Sequence, residues 1–446
     1  MMHLVPLALS LLLLASPPKL PEGVKPLPRK SAEHLDGLLR RAEEYRGLKA
    51  LRPVAAGTVD SRRLKEKVMG SIAEDYTPEE LKSLETSLKA FGLIPESLDL
   101  RRYLPELLSS QVAGFYDPER KYLALVRPDK EMPDGADDTV LVHELTHALQ
   151  DQHFDLHRFE SRDPMSDMDT ALTALFEGDA TLVMLDFQMG ARAEALPGTE
   201  EAMARIMAEP EKLIAASPDF PGAKEIAAAP AWLRDTLLFS YFQGSAFCVS
   251  ARRRGGQTLL DYAYTTDPPR STEQILHPEK WHTRRDDPVD LRLPDLSGEL
   301  PGYRKTAEGV MGELSLRIFL RESLKDAERS NAGAAGWGGD RFAVYEREGG
   351  GRLVAWVTDW DTEADAGELR SALVGLEGWR AEAAGPRRPR RVVALRGALA
   401  PERWEAVRVR LAGAEAVQPA NKEIDLQAIG AAPAGPKAGI IQIPDV

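Results

Sequence analysis

The segment His143-Glu144-Leu145-Thr146-His147 sets two imidazoles four residues apart, with a carboxylate beside the first. On a helix, residues four apart lie one turn above another on the same face, so both rings can point at one ion. Glu144 stands next to them, where it can take a proton from a water polarised by a metal. That is the chemistry H-E-x-x-H supplies in zinc peptidases. The chain holds 8 histidines, and random placement would give this pattern roughly once in a hundred such sequences. The plainer alternative is a pair of ordinary helix-surface histidines.

Two nitrogens do not complete a catalytic Zn2+ site, which has three protein ligands and an open position for water. Two residues compete for the third place. His153 stands ten residues after His143, the spacing of H-E-x-x-H-x-x-G-x-x-H, but the glycine that turns the chain out of the helix in that pattern is here Gln150. In an unbroken helix His153 sits about 9 Å beyond His147 along the axis and on another face. Glu177 lies in Ala174-Leu175-Phe176-Glu177-Gly178-Asp179-Ala180, on an apolar helix running from a cap near Asp169-Thr170 to about Phe187. A carboxylate among Leu175, Phe176, Leu182 and Val183 must be exposed or paired with something positive, either a metal or an arginine. Gly178 beside it permits close approach of another helix or of a ligand.

These residues resemble the gluzincin metallopeptidases, to which thermolysin belongs. There H-E-x-x-H on one helix is completed by a Glu on a second, and Glu177-Gly178-Asp179-Ala180 looks like the E-G-x-A form of bacterial peptidase MA-type families. The resemblance covers about residues 111–250 and is specific at His143, Glu144, His147 and Glu177. It implies a zinc peptidase acting on a peptide or protein substrate, with metal ligands His143, His147 and Glu177. It also implies a short sheet whose edge strand lines the cleft, a role that falls to Tyr122–Val126. One position departs from the pattern: the Asp four residues after the Glu ligand, which orients a ligand histidine, is here Thr181, with Asp179 or Asp186 as substitutes. Tyr241, in Phe239-Ser240-Tyr241-Phe242, stands where gluzincins place a tyrosine that stabilises the oxyanion; a core tyrosine is the alternative. His277 and His282 are loop residues that could edge the cleft, Cys248 is packing, and Arg387-Arg388-Pro389-Arg390-Arg391 leads a strand as a solvated edge.

The elements that must position these groups are mostly helical. Leu4 to Ala15 is an apolar run too short to span a bilayer and of signal-peptide length, so residues 1–16 read as an export signal and place the protein in the cell envelope or outside it. Residues 17–30 form a Pro-rich linker. Residues 31–110 form an all-helical segment, either a removable prosegment or a permanent part of the fold. It includes a helix opened by Thr77-Pro78-Glu79-Glu80. Two strands flank the turn Asp117-Pro118-Glu119-Arg120. The peptidase domain covers 111–330, a small α+β module covers 340–415, and 416–446 is a flexible tail. In the module, Phe342–Tyr345, Leu353–Val357 and Val392–Leu395 read as strands. Thr362 caps one helix, and Pro401–Leu411 is another with Trp404, Val407 and Leu411 on one face. The fold class is therefore α+β: a mainly helical, zincin-like catalytic domain with a small sheet, plus this module.

A charge of −13 over 446 residues argues against a nucleic-acid partner, and 43% hydrophobic with 28% charged residues fits a globular protein. A single cysteine excludes an internal disulfide and a Cys-type metal cluster. No stretch beyond the leader is apolar enough to cross a membrane. The rival to a peptidase is a non-catalytic envelope scaffold built on the same fold, and Glu144 weighs against it, since a structural zinc does not need that carboxylate.

Overall fold

The computed structural model describes residues 20–110, 114–126, 136–159, 165–208, 212, 214 and 222–432; the apolar run Leu4–Ala15 lies outside them. The fold is α+β. After the short strand β1 (Lys25–Pro26), helix α1 (Arg29–Arg46) buries Leu35, Leu38, Ala42 and Tyr45 along one stripe. It stops at Gly47, whose φ of 77° provides a left-handed cap. Strand β2 (Ala55–Val59) and helices α2 (Ser61–Asp75), α3 (Pro78–Phe91) and α4 (Leu100–Ser109) follow. Helix α3 opens as its sequence predicts: Thr77 and Glu80 form a reciprocal capping box with Pro78 in the first turn.

The hairpin around Asp117 also forms. Strands β3 (Gly114–Asp117) and β4 (Tyr122–Val126) pair antiparallel, Asp117 Oδ1 accepts from the amides of Glu119 and Arg120, and Lys121 takes φ 56°. The described sheet runs β1-β2-β4-β3, with β2 parallel to β4. This order changes two expectations. Residues 31–110 are not all helical, because Ala55-Ala56-Gly57-Thr58-Val59 becomes a strand by pairing with residues more than sixty positions away, a non-local cause that local propensity does not carry. Tyr122–Val126 is an interior strand, hydrogen-bonded on both sides, and Gly114–Asp117 forms the edge.

Helix α5 (Ala136–Phe154) carries the H-E-x-x-H segment and α6 (Asp167–Met189) carries Glu177. A long helix, Ala231–Thr265, kinked at Gly255-Gly256, crosses α6 with backbone against backbone. A Cβ on Gly178 would lie 2.1 Å from the Gly244 carbonyl carbon, and one on Gly244 would lie 2.0 Å from the Ala174 oxygen. Gly178 thus serves the close approach expected of it, and the neighbour is a helix.

Strand β5 (Asp290–Arg292) precedes the C-terminal sheet, formed by β6 (Tyr303–Gly309), β7 (Trp337–Arg347), β8 (Arg352–Trp360), β9 (Trp379–Ala383) and β10 (Arg391–Arg396) in the order β6-β7-β8-β10-β9. Alternate residues serve two cores. Phe342, Val344, Trp356, Trp379 and Val392 face the main core, where Phe91 of α3 meets the Phe342 ring at 5.0 Å. Ala343, Tyr345, Ala355, Val357 and Val393 pack under Trp404, Val407 and Leu411 of helix Pro401–Ala412. The sheet begins at Tyr303, ahead of the module start expected at 340. The tail expected from 416 is tied down at first: β11 (Glu415–Val417) pairs with β5, and Leu426 and Ile429 pack on the core. Among the described residues no helix is long and apolar enough to cross a membrane.

Candidate metal centre

Helix α5 is seated by Leu141, Val142, Leu145, Ala148 and Leu149, all buried, which leaves the face carrying His143 and His147 toward α6. Helix α6 buries Ala171, Leu172, Ala174, Leu175 and Gly178–Val183 on either side of Glu177, which fixes the backbone that carries it. The three side chains meet. His143 Nε2 lies 3.1 Å from Glu177 Oε2 and 3.1 Å from His147 Nε2, and His147 Nε2 lies 3.4 Å from Glu177 Oε2. One nitrogen or oxygen from each falls within 4.8 Å of the other two, a spacing at which one ion can bridge them. Two imidazoles and a carboxylate form a zinc donor set, and three donors turned toward one another on well-packed helices fit such an ion.

The electrostatics follow from this grouping. Burial alone would raise the Glu177 carboxyl, but His147 and His143 hold it well below the usual range. Burial would lower His147, yet the Glu177 and Glu144 carboxylates and the bond to Gln150 bring it up to about 9. Glu144 is outside the group of three donors, and its Oε2 accepts a 2.7 Å bond from the Tyr116 amide of β3. Burial raises its carboxyl, the two histidines oppose that rise, and the balance is upward. Tyr116 is gripped at its other end too, its hydroxyl donating to Asp151 at 2.8 Å; Asp151 also takes Lys121 Nζ at 2.7 Å. Glu144 and Asp151 are seven residues apart, two helical turns, so one face of α5 clamps the edge strand.

Tyr241 sits against His143, ring centroids 6.0 Å apart. The Glu177 charge, burial and Glu144 push its hydroxyl well above the ordinary tyrosine range, so it remains a neutral donor. His153 is not with this group: its Nε2 bonds the Lys49 carbonyl at 2.7 Å, as helical geometry requires of a residue six past His147. His277 bonds Glu313, and His282 bonds Ser250, with burial and Arg254 lowering it to about 4. Cys248 is buried in the core.

The partner of His147 is neither of the carboxylates expected from the sequence. Gln150 Oε1 lies 2.8 Å from His147 Nδ1, and Asp179 sits behind Gln150. Asp186 is occupied elsewhere, by Arg252 and the Ala193 amide. Thr181 is buried. Sequence reasoning missed Gln150 and Tyr116. For Gln150 a signal existed, since it stands one turn beyond His147 on the same face; Tyr116 acts through its amide, which leaves no mark in the sequence.

Two other features do not bear on this site. Glu273, Asp286 and Asp361 form a carboxylate trio, but Lys280 Nζ occupies its centre at 2.6, 3.0 and 2.6 Å. A cavity of about 540 Å3 lies between Asp286, Trp360 and the Arg387–Arg391 run. That run is solvated up to its last residue: Arg387, Arg388, Pro389 and Arg390 are exposed, whereas Arg391 is buried, bonding the Ala414 carbonyl and gripping Asp359. Among known proteins, a family described as a domain of unknown function (DUF8575) matches residues 300–423, the C-terminal sheet and its helices. No curated protein and no solved structure matches the chain.

Proposed function

We propose that the chain is an exported zinc metallopeptidase whose ion is held by His143, His147 and Glu177. The observation that carries this reading is the convergence of those three donor atoms from two helices, with Glu144 beside them and not one of the three. A structural site needs no such carboxylate. When bound, zinc supplies Lewis-acid polarisation of a carbonyl and of water. The residues around it divide the remaining work. Glu144, whose proton affinity burial raises, takes the proton of the attacking water and passes it to the leaving amine. The neutral Tyr241 hydroxyl donates to the carbonyl oxygen as it gains charge. Backbone pairing with an extended peptide, the role expected of Tyr122–Val126, passes to the edge strand Gly114–Asp117, through the groups other than the Tyr116 amide, which Glu144 already holds.

The test is Glu144→Gln. The variant should keep its fold and zinc content while hydrolysis of an unfolded-protein or peptide library falls by about 10²–10⁴-fold. Wild-type protein that cleaves nothing the variant leaves intact would turn the reading toward a binding scaffold. Metal analysis of protein from its native host decides zinc against iron(II), which takes the same donor set. Intact mass of that protein reads the export step, the mature chain starting near Ser16 or Pro17.

A further inference from the structure

Behind His147 runs a buried polar chain that ends in the N-terminal segment. Gln150 Nε2 lies 3.1 Å from the Phe176 carbonyl oxygen and 3.0 Å from Asp179 Oδ2, and both groups can only accept. Turning the amide over would set its oxygen against a carbonyl and a carboxylate, so these two partners fix its orientation. Its Oε1 therefore faces His147 Nδ1, 2.8 Å away, and an amide oxygen can only accept. Nδ1 must carry the hydrogen, which leaves Nε2 turned toward His143 and Glu177.

Asp179, fully buried, is held in its turn by Arg46 Nε at 2.7 Å and by the Tyr264 hydroxyl at 3.0 Å. Arg46 is fully buried as well. Its guanidinium lies 2.7 Å from Asp261 Oδ1 and 3.2 Å from Gln257 Oε1, and sits beside the stacked rings of Phe154 and Tyr264, 5.7 Å from each centroid. Arg46 is the last residue of α1. A buried, charge-assisted bond of this kind has few other geometries open to it.

We infer that Gln150 is the positioning residue for His147, and that Arg46, acting through Asp179, locks Gln150 in place, which makes helix α1 a working part of the metal site and not a removable cover. The inference rests on the metal site proposed above. Loss of a group that orients a metal-binding histidine typically lowers metal affinity 10–100-fold.

The test measures zinc affinity of the full chain by competition with a chromophoric chelator, alongside the melting temperature and the visible spectrum of the cobalt(II) form. Gln150→Leu should weaken zinc by about 10–100-fold and alter the cobalt spectrum while the protein stays folded. Arg46→Lys should weaken zinc in the wild-type background and add nothing in the Gln150→Leu background, since its effect passes through Gln150. If Arg46→Lys does not fold, Asp179→Asn makes the same comparison. Unchanged zinc affinity in Gln150→Leu, with affinity lost in His147→Ala, overturns the inference and leaves the metal site standing. An Arg46 effect of equal size in both backgrounds reduces Arg46 to a structural part and overturns the role of α1. Equal zinc binding by wild type and His147→Ala removes the metal site itself, and the inference with it.

Discussion

Gly178→Ala tests how tightly the crossing of α6 over helix Ala231–Thr265 governs the site. The added Cβ would lie 2.1 Å from the Gly244 carbonyl carbon and 2.5 Å from its oxygen, whereas ordinary contact begins at 3.4 Å. Backbone cannot rotate away as a side-chain tip can, so the helices must part by about 1.3 Å, the difference between 3.4 and 2.1. Glu177 is the adjacent residue and moves with its helix. Metal-ligand distances tolerate about 0.2 Å, so a displacement several times larger should weaken zinc at least about tenfold. Overpacking of this kind costs about 1–3 kcal/mol, a fall in melting temperature of roughly 2–12 °C for a domain of this size. Zinc competition and thermal unfolding measure the two effects separately. Gly70→Ala is the control, because nothing lies within 4 Å of its added Cβ and it sits in a helix far from the site in sequence. Gly178→Ala protein that binds zinc with wild-type affinity and melts within a degree of wild type refutes the argument that this close approach sets the ligand geometry.

Tyr241→Phe should lower kcat about 10²–10³-fold, with KM and zinc content nearly unchanged, because an oxyanion donor acts in the transition state; unchanged kcat makes Tyr241 core packing. Asp167 predicts a pH dependence. Burial, with Asp340 and Glu313 nearby, raises its carboxyl from 3.8 to about 7 against the opposing bonds from Thr272. The folded state therefore binds a proton that the unfolded chain has already released, and stability is lost as pH rises from about 4 to 7, by an upper bound of about 4 kcal/mol. Asp167→Asn should flatten that slope in denaturant titrations at a series of pH values, and an unchanged slope counts against it.

The legible parts of the sequence were those with a local cause. The cap at Thr77 before Pro78, the hairpin at Asp117, the period of helix Pro401–Ala412 and the i, i+4 histidines are each specified within a dozen residues, and each formed. Glu177 was legible because a carboxylate on an apolar helix demands a partner. What could not be read depends on distant chain. Ala55–Val59 is a strand because β4 offers it an edge, and Tyr303–Gly309 joins a sheet because β7 lies beside it. Arg46 has no local signature at all, being an arginine at the end of an amphipathic helix, where an exposed position is the ordinary outcome. The orienting role of Gln150 was hidden by its reading as an absent glycine.

The parallel pairing of β2 with β4 has a kinetic consequence. Parallel strands must be joined by a crossover, and here it spans Asp60 to Lys121 and contains α2, α3, α4 and the edge strand β3. Closing it precedes any contact that rewards it, so this step belongs among the slow, non-local events of folding. The edge strand that meets Glu144 is held to β4 by a local hairpin and does not depend on that closure; the parallel β2 does. A chain started at residue 111 would leave one side of β4 unpaired and Asp179 without its cation, an exposed template for association between chains.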